Sequence, residues 1–232
     1  MKPKHLVIVG LTAFLFFYFF LFVAMKLGMP AGLSSVTLQL QVFITILLSI
    51  ILLKERPKLQ QVLGSCLALA GLTTIASTIG QGTTIPAIAM LFIVLAAATW
   101  AYGNFTIKLA GPDAGFGTLS GIAWISLVPI LPALALSFAF EGPDQWLHSW
   151  NTVRPISLAA LAFTVVLSTW AGFMVWGKLL STYTASVAAP FALLVPVFGG
   201  LSAYLILDET LTPLRMVGSL MIFAGLAIIL LP

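Results

Sequence analysis

Long apolar runs separated by short polar or charged interruptions dominate the pattern of this chain. Each run has about the length, roughly 20 residues, that a helix needs to cross the hydrocarbon core of a bilayer. Lipid offers no partner for backbone groups, so helices rather than open sheets are predicted. The eight predicted transmembrane helices cover residues 6–27, 32–53, 59–79, 86–109, 117–140, 156–181, 185–207 and 213–231. The pattern predicts an all-α integral membrane protein whose main partner is the lipid bilayer.

The composition narrows the function classes. The chain has 232 residues, of which 61% are hydrophobic and 7% are charged, whereas a soluble domain carries about 25% charged residues. The net charge of +4 is accounted for by basic loops, so no nucleic-acid partner is expected. The sequence has one cysteine, Cys66, and no metal-spaced His/Cys pair, phosphate loop or nucleophile–base pair. We therefore expect neither an enzyme nor a bound metal or cofactor.

Lysine and arginine mark one side of the predicted membrane protein. With the N-terminus in the cytoplasm, seven of the ten basic residues fall inside and three fall outside. The opposite orientation reverses this ratio and conflicts with the positive-inside rule. We therefore expect a multi-pass protein of the inner (plasma) membrane with both termini in the cytoplasm. The basic stretch "KERPK" at 54–58 is then a cytoplasmic turn.

A segment near the start of the chain recurs near its end, 154 residues later. The stretch "ILLKERPKLQQVLGSCLALAGL" at 51–72 aligns without a gap with "LILDETLTPLRMVGSLMIFAGL" at 205–226. The aligned identities of distinctive residue type are Glu55 and Glu209, Gly64 and Gly218, Ser65 and Ser219, and Gly71 and Gly225. Five predicted helices separate the two glutamates, so the copies have opposite orientations. Inverted repeats are typical of secondary transporters, whose substrate site lies near the membrane midplane between the repeats.

The repeat predicts a division of the chain near residue 80. Residues 81–232 hold five predicted helices and form a complete C-terminal repeat. Residues 1–80 hold three predicted helices, which correspond to the last three of the five. We therefore expect a ten-helix transporter fold minus its two N-terminal helices. Faces that would pack on those two helices favour a homodimer or another partner chain.

Four stretches resemble the EamA family of the drug/metabolite transporter superfamily: "GMPAGLSSVTLQLQVFITILL", "WAYGNFTIK", "LLVPVFGGLSAYLILDE" and the final "AGL" helix. The resemblance covers essentially the whole chain. It implies a secondary transporter that exports small polar metabolites, in particular amino acids such as cysteine and O-acetylserine, by alternating access. Members of the family have two further helices ahead of the segment that begins at His5. The alternative is therefore a non-transporting truncated fragment or a half-transporter that needs a partner chain.

Polar side chains run along one face of the second predicted helix. At 3.6 residues per turn the members of this stripe are Ser34, Thr37, Gln41, Thr45 and Ser49. Gln39 is expected about 160° from Gln41 around the helix. An unpaired amide in hydrocarbon costs several kcal/mol, so both glutamines must face protein or a water-filled cavity. We predict that Gln41, Gln39 and Thr37 bind substrate; the alternative is hydrogen bonding between helices.

The fourth predicted helix carries a polar and aromatic face. Trp100, Asn104 and Lys108 are spaced i, i+4, i+8 and therefore lie on the same side. Trp100 and Asn104 are predicted to contact substrate, whereas Lys108 is expected to extend to the membrane surface.

Two further helices contribute aromatic candidates. Tyr18 lies mid-membrane in a run of phenylalanines, and its hydroxyl requires a partner. Trp170 and Trp176 of the sixth helix are able to wall a cavity, with ordinary packing as the alternative. Of these residues Tyr18 and Trp170 are taken as predicted substrate contacts.

The seventh predicted helix contains helix-breaking residues. Proline interrupts the helical ladder and leaves carbonyls without donors, and paired glycines allow bending. The predicted hinge or gating residues are Pro190, Pro196, Gly199 and Gly200. No Asp or Glu lies near the middle of any predicted helix. Ion coupling would therefore use an acid at a helix end such as Glu55 or Glu209 or a group in the missing helices, unless transport is exchange.

Overall fold

The computed structural model describes residues 2–78, 85–207 and 212–231. Within these ranges every regular element is helical, and seven helices are long and apolar enough to cross a membrane, with one shorter apolar helix. They are α1 (Pro3–Lys26), α2 (Ala31–Leu52), α3 (Leu59–Ala76), α4 (Ala87–Ala110), α5 (Leu119–Asp144), α6 (Pro155–Thr182), α7 (Ala185–Ser202) and α8 (Pro213–Ile229). The prediction of an all-α, multi-pass membrane protein is confirmed. The predicted boundary at 80–81 and the acid Glu209 lie outside the described residues.

Irregular turns recur at equivalent positions in the two halves of the chain. A π-helical segment occupies Gly10–Phe16 of α1, and another occupies Thr164–Ala171 of α6. Helix α2 is broken at residues 38–39, between Ala31–Thr37 and Leu40–Leu52. Helix α7 is broken by the 3-10 segment Ala189–Leu193. An offset of 154 residues superimposes both pairs, so the repeat seen in the sequence extends to the backbone.

Helices α3 and α8 cross at four glycines. A Cβ at Gly64 would lie 2.4 Å from the carbonyl oxygen of Gly225, and a Cβ at Gly71 would lie 2.5 Å from that of Gly218. Only glycine permits backbones to approach this closely. Because the earlier glycine of α3 meets the later glycine of α8, the two helices run antiparallel. The 154-residue offset exchanges the two contacts, as expected for helices related by a two-fold axis.

The described residues form three buried apolar clusters, and the two larger ones lie in different groups of helices. One cluster joins α2, α3, α7 and α8 and includes Val42, Leu72, Leu193 and Ile222. The other joins α1 and α4–α7 and includes Val9. Helix α4 packs against α1, α2 and α6 and therefore connects the two groups. The space between them is where a cavity can form.

Equivalent positions of α1 and α6 differ sharply in burial. Val9 is 0% exposed and Ala13 is 3% exposed, because α4 and α5 pack on that face of α1. At the 154-residue offset they correspond to Phe163 and Leu167, which are 62% and 57% exposed. In the part of the chain that the structure describes, no helix covers this face of α6. The two halves thus share their backbone pattern but not their packing.

Candidate functional site

A cavity of about 400 Å³ lies where α1, α2, α4, α6 and α7 meet. Its wall is mainly apolar and contains four aromatic residues: Phe17, Trp100, Trp176 and Phe191. Its polar wall residues are Ser35, Gln39 and Gln41. No acid or base occurs among the described residues that line it. A cavity of this volume and polarity suits a small molecule held by a few fixed polar groups.

Three side chains form a hydrogen-bonded relay at one side of this cavity. The indole Nε1–H of Trp176 donates to Asn104 Oδ1 at 2.9 Å, and Asn104 Nδ2 donates to Gln41 Oε1 at 2.9 Å. An indole N–H can only donate, so the carbonyl of Asn104 must face it and its NH₂ must face Gln41. The carbonyl of Gln41 is thereby engaged. Its Nε2 group remains as a hydrogen-bond donor at the cavity wall.

Gln39 presents a hydrogen-bond acceptor to the cavity, whereas Gln41 presents a donor. Its Nε2 donates to the carbonyl oxygen of Ala192 at 2.8 Å. In a regular α-helix that carbonyl would accept from the N–H of residue 196, which Pro196 lacks. A carbonyl can only accept, so the amide nitrogen of Gln39 must face it. Among the described contacts Oε1 of Gln39 remains uncommitted, as an acceptor at the wall.

A tightened turn brings both glutamines to one cavity. The backbone N–H groups of Gln39, Gln41 and Val42 each donate to a carbonyl three residues earlier. Three residues per turn correspond to about 120° per residue, so Gln39 and Gln41 are about 120° apart rather than about 160°. The sequence pattern predicted a regular helix here and did not reveal this break.

One end of the helix bundle contains the turn 54–58 and is called here the basic end. An ion pair closes the bundle at this end. Lys108 Nζ lies 3.4 Å from Glu55 Oε1, and each side chain is 14% exposed. Lys108 also donates to the carbonyl of Tyr183, and the N–H of Ala185 donates to Glu55 Oε2 at 3.0 Å. Lys108 is one turn beyond Asn104 on α4, so this ion pair, called here the Glu55–Lys108 latch, lies at the basic end, one helical turn from the residues beside the cavity. The sequence predicted only that Lys108 extends to the membrane surface; the structure shows that it is also bound there by Glu55 and by the Tyr183 carbonyl.

Comparison with known proteins decides the family. A sequence model described as the EamA-like transporter family matches residues 2–77 and 87–231, which is nearly the whole chain. The chain belongs to the EamA-like transporter family. The family resemblance found in the sequence is therefore confirmed, and membership indicates a transporter rather than an enzyme.

Relatives of this EamA-like transporter carry export-related names. The "Probable amino-acid metabolite efflux pump" of Salmonella typhimurium is 37% identical over 220 residues, covering 94% of this chain and 74% of the relative. The protein of the same name in Escherichia coli is 36% identical over the same shares. The "Probable terminal-alkyne amino-acid exporter" of Streptantibioticus cattleyicolor is 26% identical, covering 88% of this chain and 65% of the relative.

A solved structure shares the fold of this EamA-like transporter. The crystal structure of another protein superimposes with a TM-score of 0.76 and 18% sequence identity. The match covers 98% of this chain and 76% of the other chain. At this level of identity the similarity shows the fold alone.

The structure brings together part of the predicted substrate site of the EamA-like transporter. Gln41, Gln39 and Trp100 line the cavity, and Asn104 lies directly behind Gln41, 3% exposed. Thr37 ends the first half of α2 and is half-buried, but it is not part of the cavity wall. These positions remain predicted substrate contacts, of which the first three have direct access to the cavity.

Two predicted residues lie elsewhere. Tyr18 lines a second, larger cavity of about 600 Å³ between α1 and α5, whose described polar wall residues also include Lys26, Ser137 and Glu141. Both cavities are lined by residues of the two halves of the chain, but the larger involves only α1 and α5, whereas the smaller includes the broken helices α2 and α7. Because transporter sites are typically formed by broken helices at the interface between repeats, we favour the smaller cavity. Trp170 is 37% exposed and does not line it.

Trp176, rather than the predicted Trp170, is the tryptophan of α6 that lines the cavity. The two tryptophans are six residues apart, which places them about 120° apart on an α-helix. Sequence spacing therefore indicated that they face different neighbours, but not which of them faces α4. The contact with Asn104 and the place of Trp176 in the cavity wall identify it as a residue of the site.

The predicted hinge residues surround the break in α7. Pro190 is fully buried within the 3-10 segment, and Pro196 follows it in the α-helical part of α7 that begins at Leu194. A Cβ at Gly199 or Gly200 would meet no atom within 4 Å. Close packing therefore does not require these glycines, and bending remains their predicted role.

Proposed function

We propose that this EamA-like transporter exports small polar metabolites of zero net charge, amino acids such as cysteine and O-acetylserine among them. One observation carries the proposal: the cavity presents a hydrogen-bond donor, Gln41 Nε2, and an acceptor, Gln39 Oε1, on an otherwise apolar wall. A zwitterionic amino acid offers the matching groups, since its carboxylate accepts and its ammonium donates. The names of the related efflux pumps and exporter support the same substrate class.

The aromatic wall supports the same ligand class. Trp100 packs on Phe17 with ring centroids 4.6 Å apart, so its indole is held in place beside the cavity. An ammonium group near the face of a tryptophan is stabilised by about 0.5–2 kcal/mol. The absence of acids and bases from the described wall disfavours a ligand with net charge, because such a charge would be desolvated without a partner.

The test is efflux of labelled substrate from cells that express the chain. Labelled cysteine, O-acetylserine and threonine are loaded, and their loss is compared with that from cells carrying an empty vector. We expect faster loss of at least one of these amino acids. Equal loss for all three, with the protein present in the membrane, would reject the proposed function and favour the non-transporting alternative.

The mechanism that we propose is alternating access between the two halves, residues 1–80 and 81–232. The relay borders the cavity on the side of the basic end, and the Glu55–Lys108 latch lies at that end. Opening towards that end would require the latch to separate and the broken helices α2 and α7 to move apart. The excess of lysine and arginine favours a cytoplasmic location for the basic end and both termini, in the inner membrane.

Removal of the Glu55 charge is expected to open the path from the cytoplasm to the cavity. In a Cys66→Ala background, Thr45→Cys places a thiol at a fully buried position between Gln41 and the basic end. Adding Glu55→Gln should speed its labelling by an impermeant maleimide about fivefold, the effect of about 1 kcal/mol. Inside-out vesicles present the basic end to the reagent. Glu141→Gln serves as the matched control, and an unchanged rate in Glu55→Gln would count against the latch.

Restoring the missing N–H donor in α7 is expected to raise the stability of the protein and to slow its transport. Pro196→Ala supplies an N–H four residues after Ala192, which competes with Gln39 for the Ala192 carbonyl. We expect a higher melting temperature and slower efflux. Pro213→Ala is the matched control, because Pro213 is at the first position of α8, where no N–H is needed. Unchanged efflux in Pro196→Ala would remove the break in α7 from the transport cycle.

A second candidate is a transporter that works as a homodimer. The observation in its favour is the exposed face of α6 at Phe163 and Leu167, whose counterpart on α1 is covered by helices of the same chain. A second copy would bury this face. In a Cys66→Ala background, Leu167→Cys is expected to yield a crosslinked dimer with a bifunctional maleimide. The control is Leu220→Cys, at an exposed position of α8, which is not expected to crosslink. Monomers alone from both variants would exclude a dimer through α6.

A further inference from the structure

We propose that Trp176 fixes the polarity of the cavity and thereby selects zwitterions over amines. This inference rests on the proposed function. Through Asn104, the indole N–H holds the Gln41 amide with its NH₂ towards the substrate carboxylate. At the other side, the Ala192 carbonyl holds Gln39 with its oxygen towards the substrate ammonium. Trp176 is a positioning residue in this arrangement.

The direction of each amide follows from groups of a single polarity. Amide groups of Asn and Gln can present either a donor or an acceptor, and rotation of the terminal group exchanges them. The relay removes this freedom, because its first member, the indole N–H, has no acceptor form. Asn104 is 3% exposed, so no bulk water competes for its carbonyl. Without the indole donor, Asn104 and Gln41 can rotate together and present an acceptor to the cavity instead.

Fixed amides determine what the cavity rejects. A decarboxylated amine leaves the Gln41 donor unpaired, and a carboxylic acid without an amino group leaves the Gln39 acceptor unpaired. A site built around a hydrogen bond discriminates strongly against a ligand that lacks the matching group. The cavity should therefore prefer an amino acid to its decarboxylated amine by a ratio that depends on the direction of the Gln41 amide.

Substitution of one ring separates this role from packing. Trp176→Phe keeps an aromatic side chain at the cavity wall and removes the N–H donor. Trp170→Phe is the matched control, since Trp170 lies on the same helix, is 37% exposed and does not line the cavity. The measurement is inhibition of labelled amino-acid transport in inside-out vesicles by the unlabelled amino acid and by its decarboxylated amine.

The ratio of the two inhibition constants is the readout. We expect Trp176→Phe to reduce the preference for the amino acid about tenfold, the effect of one lost charge-assisted hydrogen bond, and Trp170→Phe to leave it unchanged. Transport that is slower but keeps the wild-type ratio would overturn the inference, since lost packing weakens both ligands alike. A wild-type protein that transports no amino acid would instead reject the proposed function.

A second variant keeps the inference testable where Trp176→Phe does not reach the membrane. In Gln41→Glu, one carboxylate oxygen accepts from Asn104 and the other faces the cavity as an acceptor. At pH 8 this variant should favour the amine over the amino acid. A retained preference for the amino acid would overturn the assignment of the Gln41 amide as the carboxylate donor.

Discussion

Gln41→Ala is expected to reduce amino-acid efflux at least tenfold while leaving the protein in the membrane. The change removes the Nε2 donor at the cavity wall and leaves Asn104 Nδ2 without its acceptor. A hydrogen bond to a charged group contributes about 1.5–3 kcal/mol, which corresponds to roughly a tenfold to hundredfold loss of affinity. Efflux of labelled substrate, normalised to the amount of membrane-inserted protein, measures the effect.

Gln60→Ala is the matched control for this experiment. Gln60 is a half-buried glutamine at the start of α3, where it donates to the carbonyl of Leu231 and does not line the cavity. Efflux should stay at the wild-type level in this variant. Normal efflux in Gln41→Ala would remove Gln41 from the substrate site and leave the helix-to-helix hydrogen bond with Asn104 as its only role.

Gly71→Ala is expected to cause a large loss of stability for the addition of a single methyl group. The new Cβ would lie 2.5 Å from the carbonyl oxygen of Gly218 and 2.9 Å from Met221 Cβ. Neither backbone can yield without separating α3 from α8, and overpacking of this kind costs about 1–3 kcal/mol. Thermal unfolding in detergent, followed by loss of soluble monodisperse protein, measures the change.

The repeat provides an internal check on this prediction. Gly218→Ala places a methyl group against the same contact from the other helix, with its Cβ 2.6 Å from the carbonyl oxygen of Gly71. The two variants should therefore lose similar stability, and their effects should not add, because both disturb one contact. Gly172→Ala is the control, since its Cβ would meet only Leu167 O at 3.8 Å. Equal stability of all three variants would contradict the close crossing.

Much of the candidate site was accessible from the sequence because burying an amide in a membrane is costly. Gln39 and Gln41 had to face protein or a cavity whatever the fold, since lipid leaves an amide unpaired. The spacing of Trp100 and Asn104 likewise placed both on one face of α4. Local periodicity was sufficient for these residues because it depends only on the helix to which they belong.

Contacts between distant residues were not accessible from the sequence. The hydrogen bond from Trp176 to Asn104 joins residues 72 positions apart, and the Glu55–Lys108 pair joins residues of different loops and helices. Trp170 and Trp176 are the same residue type on one helix, so only the orientation of α6 against α4 shows which of them reaches the site. The break at residues 38–39 was likewise not visible in the sequence pattern; the structure shows it at the position where Gln39 bonds to α7.

The sequence by itself determined the all-helical class, the helix positions, the 154-residue repeat and the glutamine pair, because hydrophobic length, periodicity and the cost of buried amides act locally along the chain. Tertiary structure decided which polar groups meet and in what direction they point. The amide of Gln41 has no preferred polarity in isolation; its donor faces the cavity because an indole from α6 reaches Asn104 on α4. An amide can donate or accept, so its partner decides the direction of the hydrogen bond, and the tertiary fold decides which partner it meets.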